Sequence, residues 1–212
     1  MRSVPDIDET IHLLAHTAPP IRSIDELDER ARAVHVTRKT AGLERLPQRS
    51  AVHVLWASHV GARELPLLCA ADQLTHLAIY GCPFPDLRPL RQLTRLEALS
   101  LFLNTKASSL EGLGELHQIV LAGAPPRARP ATLWLSGTMW TAMRVDSLAP
   151  LGPLSRLERL ILSNVRVRDR RLAPLLGLSR LTEIRLPKFF PAEEVAALRR
   201  AFPSAKGSWE TD

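Results

Sequence analysis

Histidine and cysteine have the broadest chemical repertoire in this 212-residue chain, which carries seven of the former and two of the latter. His12 and His16 stand four apart, a spacing that lets two imidazoles share a metal on one face of a helix. The intervening Leu-Leu-Ala brings no carboxylate, however, and no third ligand follows nearby. His35 and His53 fall in two short apolar segments and are expected to share a sheet face, as contact residues rather than as an acid–base pair. The chain has no zinc-protease motif, no paired C-x-x-C, no phosphate-binding glycine loop and no nucleophile elbow. The expectation is a protein that is not an enzyme, with no catalytic residues, no metal and no cofactor.

Cys69 and Cys82 are too few for a disulfide scaffold and suit a reducing compartment. The opening MRSVPDIDETIHLL places acids where a signal peptide would be apolar, and no segment reaches the roughly 18 apolar residues of a membrane span. A soluble, cytoplasmic protein without a membrane partner is therefore expected. With 45% hydrophobic residues the chain can fill one core, so residues 1–212 are read as a single domain. The 28 basic and 22 acidic residues leave a formal charge of +6, which admits an acidic partner without requiring one.

The elements that position these residues announce themselves through leucine. Leu87, Leu90, Leu93 and Leu96 are spaced by three, and the ladder returns as Leu110, Leu113 and Leu116 with Ile119. It returns again as Leu148, Leu151, Leu154 and Leu157, and as Leu172, Leu175, Leu178 and Leu181. Each ladder runs into an alternating pair: Leu99 and Leu101, Ile119 and Leu121, Leu160 and Leu162, Ile184 and Leu186. A period near three suits a 3₁₀ or helical turn, and a period of two suits a strand with one buried face. Strand and return therefore alternate at the interval of a leucine-rich repeat.

The stretch from Leu74 to Asn104 resembles the bacterial class of 22-residue leucine-rich repeats found in internalin-like proteins. Leu74, Leu77, Ile79, Cys82 and Phe84 occupy its L-x-x-L-x-L-x-x-N/C-x-L positions, and Leu96, Leu99, Leu101 and Asn104 repeat them. The resemblance covers roughly residues 74–186. It implies an α/β solenoid with a concave parallel sheet, short helical or 3₁₀ returns and helical caps, and it implies that Cys82 and Asn104 point inward to bond backbone. Upstream, Val34 with Val36 and Val52 with Val54 read as two degenerate opening strands. Residues 1–33 are expected to form an amino-terminal helical cap, with Ser23 to Glu26 at capping-box spacing. Residues 34–190 carry the repeats, and 191–212 a closing cap whose Val195, Leu198 and Phe202 share one helical face between Pro191 and Pro203.

The ladder starts are separated by 23, 38 and 24 residues, so an irregular insertion is expected near 122–146. Leu133 and Leu135 there would start a truncated repeat, or the segment would protrude as a loop. It holds Trp134, Trp140, Met139 and Met143, which either fill the space of a missing return or form a binding hot spot.

The residues between the buried ones should project from the concave sheet: His53 with Leu55, Ala78 with Tyr80, Ser100 with Phe102, Val120 with Ala122, Trp134 with Ser136, Ile161 with Ser163, and Arg185. Leu55, Tyr80, Phe102, Val120, Trp134, Ile161 and Arg185 are the candidate partner-binding residues, because an exposed apolar strip on a rigid scaffold marks an interaction site. Arg127, Arg129, Arg166, Arg168, Arg170 and Arg171 would form a basic edge beside it. The function expected is non-catalytic binding of a partner protein through the concave face, as an inhibitor, an immunity protein or an adaptor. The alternatives are nucleic-acid or acidic-partner binding through the arginine edge, and self-association.

Overall fold

The computed structural model describes residues 18–81, 83–102, 106–114, 116 and 131–207. Seven parallel strands stack in chain order into one sheet: β1 (Ala33–Thr37), β2 (Val54–Ser58), β3 (His76–Tyr80), β4 (Ala98–Phe102), β5 (Ala131–Ser136), β7 (Leu157–Ser163) and β9 (Glu183–Arg185). Two further strands, β6 (Met143–Val145) and β8 (Val165–Val167), pair with each other in a small second sheet. Short 3₁₀ turns at Leu43–Gln48, Arg88–Gln92, Ala149–Leu151 and Ala173–Leu175, and helical turns at Leu65–Cys69 and Glu111–Gly114, carry the chain back between strands. The architecture is a parallel solenoid with 3₁₀ and helical returns, as the leucine ladders require.

Each ladder position has one job. In β3 and β4, Leu77, Ile79, Leu99 and Leu101 turn inward, and Leu87, Leu90 and Leu93 of the return close over them; all are at most 2% exposed. One continuous apolar cluster runs from Ile24 to Phe202. Burying a leucine in it is worth about 1.5–3 kcal/mol, so the ladder is both the register signal and the main source of cohesion.

The chain leaves β2, β3 and β7 through a residue in the left-handed region, His59 (φ 54°), Gly81 (φ 67°) and Asn164 (φ 49°). Glycine takes this conformation without cost and asparagine tolerates it. Both sheet edges are covered. Ile21 donates its N–H to the His35 carbonyl beside β1, and Ile184 of β9 donates to the carbonyl of Lys206. Such covers protect the unpaired backbone of an edge strand from other chains.

The closing helix, Ala192–Ala201, buries Val195 and Leu198 against the last return. Its acids Glu193 and Glu194 sit in the first turn and its bases Arg199 and Arg200 in the last, matching the helix dipole. Glu194 also accepts the Leu172 backbone N–H at 2.6 Å, tying the helix to the start of the return Ala173–Leu175. At the other end the capping-box spacing produces a single 3₁₀ turn, Ile24–Glu26, whose Ser23 hydroxyl accepts the Asp25 N–H at 3.2 Å.

Two expectations of register change. The second strand begins at Val54, and its inward residues are Leu55 and Ala57, both 0% exposed, so Leu55 is core rather than partner-binding. The repeat frame explains this: Val52-x-x-Leu55-x-Ala57 occupies the positions of Leu74-x-x-Leu77-x-Ile79. The Val52–Val54 alternation imitated a strand because the true third position holds only alanine. The other change concerns the insertion. Leu99 of β4 pairs directly with Leu133 of β5, and β5 is followed by its own return at Ala149–Leu151. Leu133 and Leu135 thus lie in a strand that has a return of its own, and β5 holds the place next to β4. Residues 117–130, with Val120, Ala122, Arg127 and Arg129, lie outside the described residues, as do Cys82, Asn104, His12 and His16.

Candidate functional site

The outward positions of the main sheet follow from the pairing register. One row across the strands is His35, Trp56, Ala78, Ser100, Trp134, Ile161 and Arg185. Another, at the strand ends, is Thr37, Ser58, Tyr80, Phe102, Ser136 and Ser163. From β2 to β5 no outward side chain is an acid, a lysine or an arginine. A solvated sheet face normally alternates apolar-in with polar-out, so this departure is the feature to explain.

Aromatic rings fill that uncharged stretch. Trp56 stacks with Tyr80, centroids 6.2 Å apart and planes 23° apart, and lies 6.2 Å from Phe102. Phe102 meets Trp134 edge-on at 4.7 Å. Ala78 and Ser100 are the small residues between the rings in the same row, and they are buried beneath them at 0% and 2% exposure. Aromatic pairs of this geometry are worth about 0.5–1.5 kcal/mol beyond their burial, so the cluster holds its shape without a partner. Tyr80 is 37% exposed, and Phe102 and Trp134 are half-buried. The Trp134 indole N–H is covered by its neighbours and has no acceptor among the described residues. A buried donor left in this state costs about 1–3 kcal/mol.

Of the sequence candidates, the sheet brings Tyr80, Phe102, Trp134 and Ile161 to one surface, with Arg185 beside Ile161. Ile161 is outward yet 3% exposed, so it supports the strip more than it presents itself. Arg185 is open to solvent but its guanidinium sits 2.7 Å from Glu183, which also binds Arg159 at 2.8 Å. The strip therefore ends in a charged island at its carboxyl-terminal side. Trp56 was missed by the sequence reading; aligning Val52-x-x-Leu55-x-Ala57 with the next repeat would have found it.

His35 lies on the outward face but His53 does not join it. His53 precedes β2, with its Nδ1 3.1 Å from the Gln73 carbonyl. The His35 ring bridges the Ala18 carbonyl through Nδ1 at 3.0 Å and the Ser58 hydroxyl through Nε2 at 2.7 Å. With Nδ1 protonated toward the carbonyl, Nε2 accepts from Ser58. That pairing is also the first requirement of a serine nucleophile, but His35 and Ser58 are 8% and 9% exposed and stitch β1 to β2 and to the incoming chain. A depression of about 210 Å³ lies away from them, on the return side, lined by residues that include Asp86, Arg88 and Glu111. Among the described residues no three acids, histidines or cysteines cluster to hold a metal. Burial pushes the Cys69 thiol up to about 12, which makes it an inert core side chain at neutral pH.

The described arginines do not share one environment. Arg168 meets Asp146 at 3.2 Å, and Arg170 donates to the Phe189 carbonyl at 2.8 Å while covering the Phe189 ring. Arg171 is exposed, and Arg166 of β8 stands opposite Arg144 of β6.

No family model matches the chain, and no curated protein matches its sequence. Solved structures do. An internalin (inlF) from Listeria monocytogenes superposes with a TM-score of 0.58 at 16% identity, covering 82% of this chain and 46% of its own. Internalin C2 (inlC2) from the same organism superposes equally well, TM-score 0.58 at 16% identity, covering 84% of this chain and 73% of its own. The fold is a leucine-rich-repeat solenoid. The chain spans less than half the length of the first of these structures, and at this identity the likeness is one of fold. In the solenoid the outward sheet face is the surface that the repeat leaves free of its own returns.

Proposed function

We infer that this protein is a non-catalytic binding module that engages a partner protein through the outward face of its main sheet. The observation that carries the reading is the uninterrupted aromatic strip of Trp56, Tyr80, Phe102 and Trp134 on strands that carry no outward charge. Interface cores are depleted of charge and enriched in aromatic residues, and tryptophan and tyrosine dominate hot spots. The rings are already fixed by one another and by the sheet, so little side-chain freedom is lost on binding.

An inhibitor, an immunity protein or an adaptor would each use such a face. The buried free thiol of Cys69 suits action in the cytoplasm. No helix of the described residues is long and apolar enough to cross a membrane.

The test is affinity purification of the tagged chain from its native cells beside a Phe102→Asp, Trp134→Asp variant whose thermal unfolding is still cooperative. A protein retained by the wild type and lost from the variant is the expected result. Equal recovery from both, or recovery of nucleic acid alone, would sink the reading.

A further inference from the structure

A second surface adjoins the end of the strip and has a chemistry of its own. Trp140 and Met139 are 90% and 84% exposed, by far the most exposed large apolar side chains of the described residues. They sit in the loop of residues 137–142, which leaves the sheet at the end of β5, the end at which Tyr80 and Phe102 also stand. The loop is built rather than slack. Thr138 donates its N–H to the Thr141 carbonyl at 2.8 Å, and its hydroxyl accepts from Trp140 at 3.1 Å and Thr141 at 2.6 Å. The Asn164 side chain donates to the Thr138 carbonyl at 2.6 Å from the neighbouring repeat. Gly137 packs so closely that a Cβ there would stand 2.6 Å from three backbone atoms. Two large apolar side chains are thus held out into solvent on a fixed frame.

The loop runs directly into β6, whose outward residue is Arg144, opposite Arg166 on β8. Neither arginine makes an ion pair among the described residues, although Arg168 one step further does. Like charges directly opposite on neighbouring strands destabilise a sheet. Two guanidiniums without an ion pair among the described residues therefore repel one another beside an exposed tryptophan and methionine, whose apolar surface gains almost nothing from folding. Tryptophan, methionine and arginine are also the residue types enriched at protein interfaces.

We propose that the 137–142 loop and the Arg144–Arg166 pair form a second contact site for an acidic segment of a partner protein. Carboxylates of the segment bind the two guanidiniums, which match carboxylate geometry in a bidentate fashion. An apolar side chain of the segment packs on Trp140 and Met139. Charge complementarity selects the partner's chemistry: the pair makes no ion pair among the described residues, and the whole chain is +6. A duplex or an anionic membrane would also meet the charge. The single tryptophan beside a two-arginine pair, however, offers neither the stacked series of a single-strand track nor the long basic face of an amphipathic anchor. The proposal rests on the reading of this protein as a protein-binding module, and it is separable from the aromatic strip.

The test is to pan a phage-displayed random peptide library on the full chain and measure the enriched peptides by fluorescence anisotropy. The variants are M139S/W140S, R144E/R166E and Phe102→Asp; the first four positions are exposed, so unchanged thermal unfolding checks the fold. The expected peptides are rich in Asp and Glu around an apolar residue. They lose at least about tenfold in affinity in either of the first two variants, weaken with added salt, and are indifferent to Phe102→Asp. Enrichment of neutral or basic peptides, no enrichment, or binding undiminished in both variants overturns the site. Arginine-dependent binding of random-sequence duplex DNA or phosphatidylserine vesicles, with no acidic peptide bound, also overturns it. Loss confined to Phe102→Asp would move the contact to the strip and leave that reading standing.

Discussion

From β1 to β4 the solenoid advances 21 residues from Val34 to Leu55, then 22 to Leu77 and 22 to Leu99. From β4 onward the steps lengthen to 34, 27 and 24, ending on Leu133, Leu160 and Ile184. The two stretches share one core but spend their residues differently. The short repeats pass from strand to return in a few residues, and their outward face mixes aromatic rings with His, Ser, Thr and Ala and carries no acid, lysine or arginine. The longer repeats add a second sheet, a rigid loop with exposed Trp140 and Met139, and outward arginines. The local cap is common to both: Asp86 accepts the Arg88 N–H at 2.9 Å ahead of one return, and the Ser147 hydroxyl accepts the Ala149 N–H at 3.0 Å ahead of another.

If one core serves both stretches, damage in either must appear in the same unfolding transition. Leu77→Ala should cost about 3 kcal/mol, since the side chain is 0% exposed in the middle of the regular sheet. Val167→Ala, equally buried beneath the second sheet, removes two methyl groups and should cost about 1.5 kcal/mol. Chemical denaturation followed by far-ultraviolet circular dichroism and by tryptophan fluorescence should give coincident curves for both. A separate early transition in Val167→Ala would show that the longer repeats form an independent unit and would break the comparison.

The regular stretch was legible in sequence because burial and spacing agree there: an inward leucine every third or second residue has one geometric solution. Tyr80 and Phe102 were placed on the outward face for that reason. Leu55 was misplaced where the frame is degenerate, since Ala57 is too small to announce itself and Val54 mimics its neighbour. A one-residue slip exchanges faces, so the same error that promoted Leu55 concealed Trp56. In the longer repeats the composition was conspicuous, but the pairing of β6 with β8 left no trace. Met143, Val145, Val165 and Val167 alternate over only three residues each, too short for periodicity to separate from chance. The exposure of Trp140 was illegible for a different reason. Local sequence says that a tryptophan is present, and the frame that holds it outward includes a tertiary bond, from Asn164 to the Thr138 carbonyl, which the sequence does not reveal.

The loop's rigidity can be tested through its glycine. A Cβ at Gly137 would stand 2.6 Å from the Asn164 carbonyl oxygen, the Met143 nitrogen and the Thr141 carbonyl oxygen, all backbone atoms that cannot step aside. Gly137→Ala should therefore cost about 2 kcal/mol. Gly177, in the last return, has nothing within 4 Å of the same construction, so Gly177→Ala should be neutral or stabilise by up to about 1 kcal/mol. Thermal melts of the two variants give the contrast directly. Equal small effects would mean that the loop relaxes freely, and the case for a preformed Trp140 platform would weaken with it.

The smallest effect lies in the regular stretch, at the local cap. Asp86 accepts the Arg88 backbone N–H at 2.9 Å and the Arg88 guanidinium at 2.8–3.1 Å, which holds its carboxyl below the usual aspartate range. Because the folded value is lowered and the unfolded value is ordinary, the cap's contribution is complete above the ordinary carboxylate pKa. It is lost as pH falls through the lowered folded value. Both side chains are largely exposed, so solvent screens the pair. Asp86→Asn should lower the Tm at neutral pH by no more than about 2 °C. Its clearer signature is a shallower acid limb in a plot of Tm against pH, because one carboxylate that resisted protonation in the folded state is gone. An unchanged acid limb would mean that the Asp86–Arg88 pair leaves the return indifferent to charge. The regular repeats would then be held by their leucines alone, and the charged Asp86 cap would be no different in effect from the neutral Ser147 cap of the longer stretch.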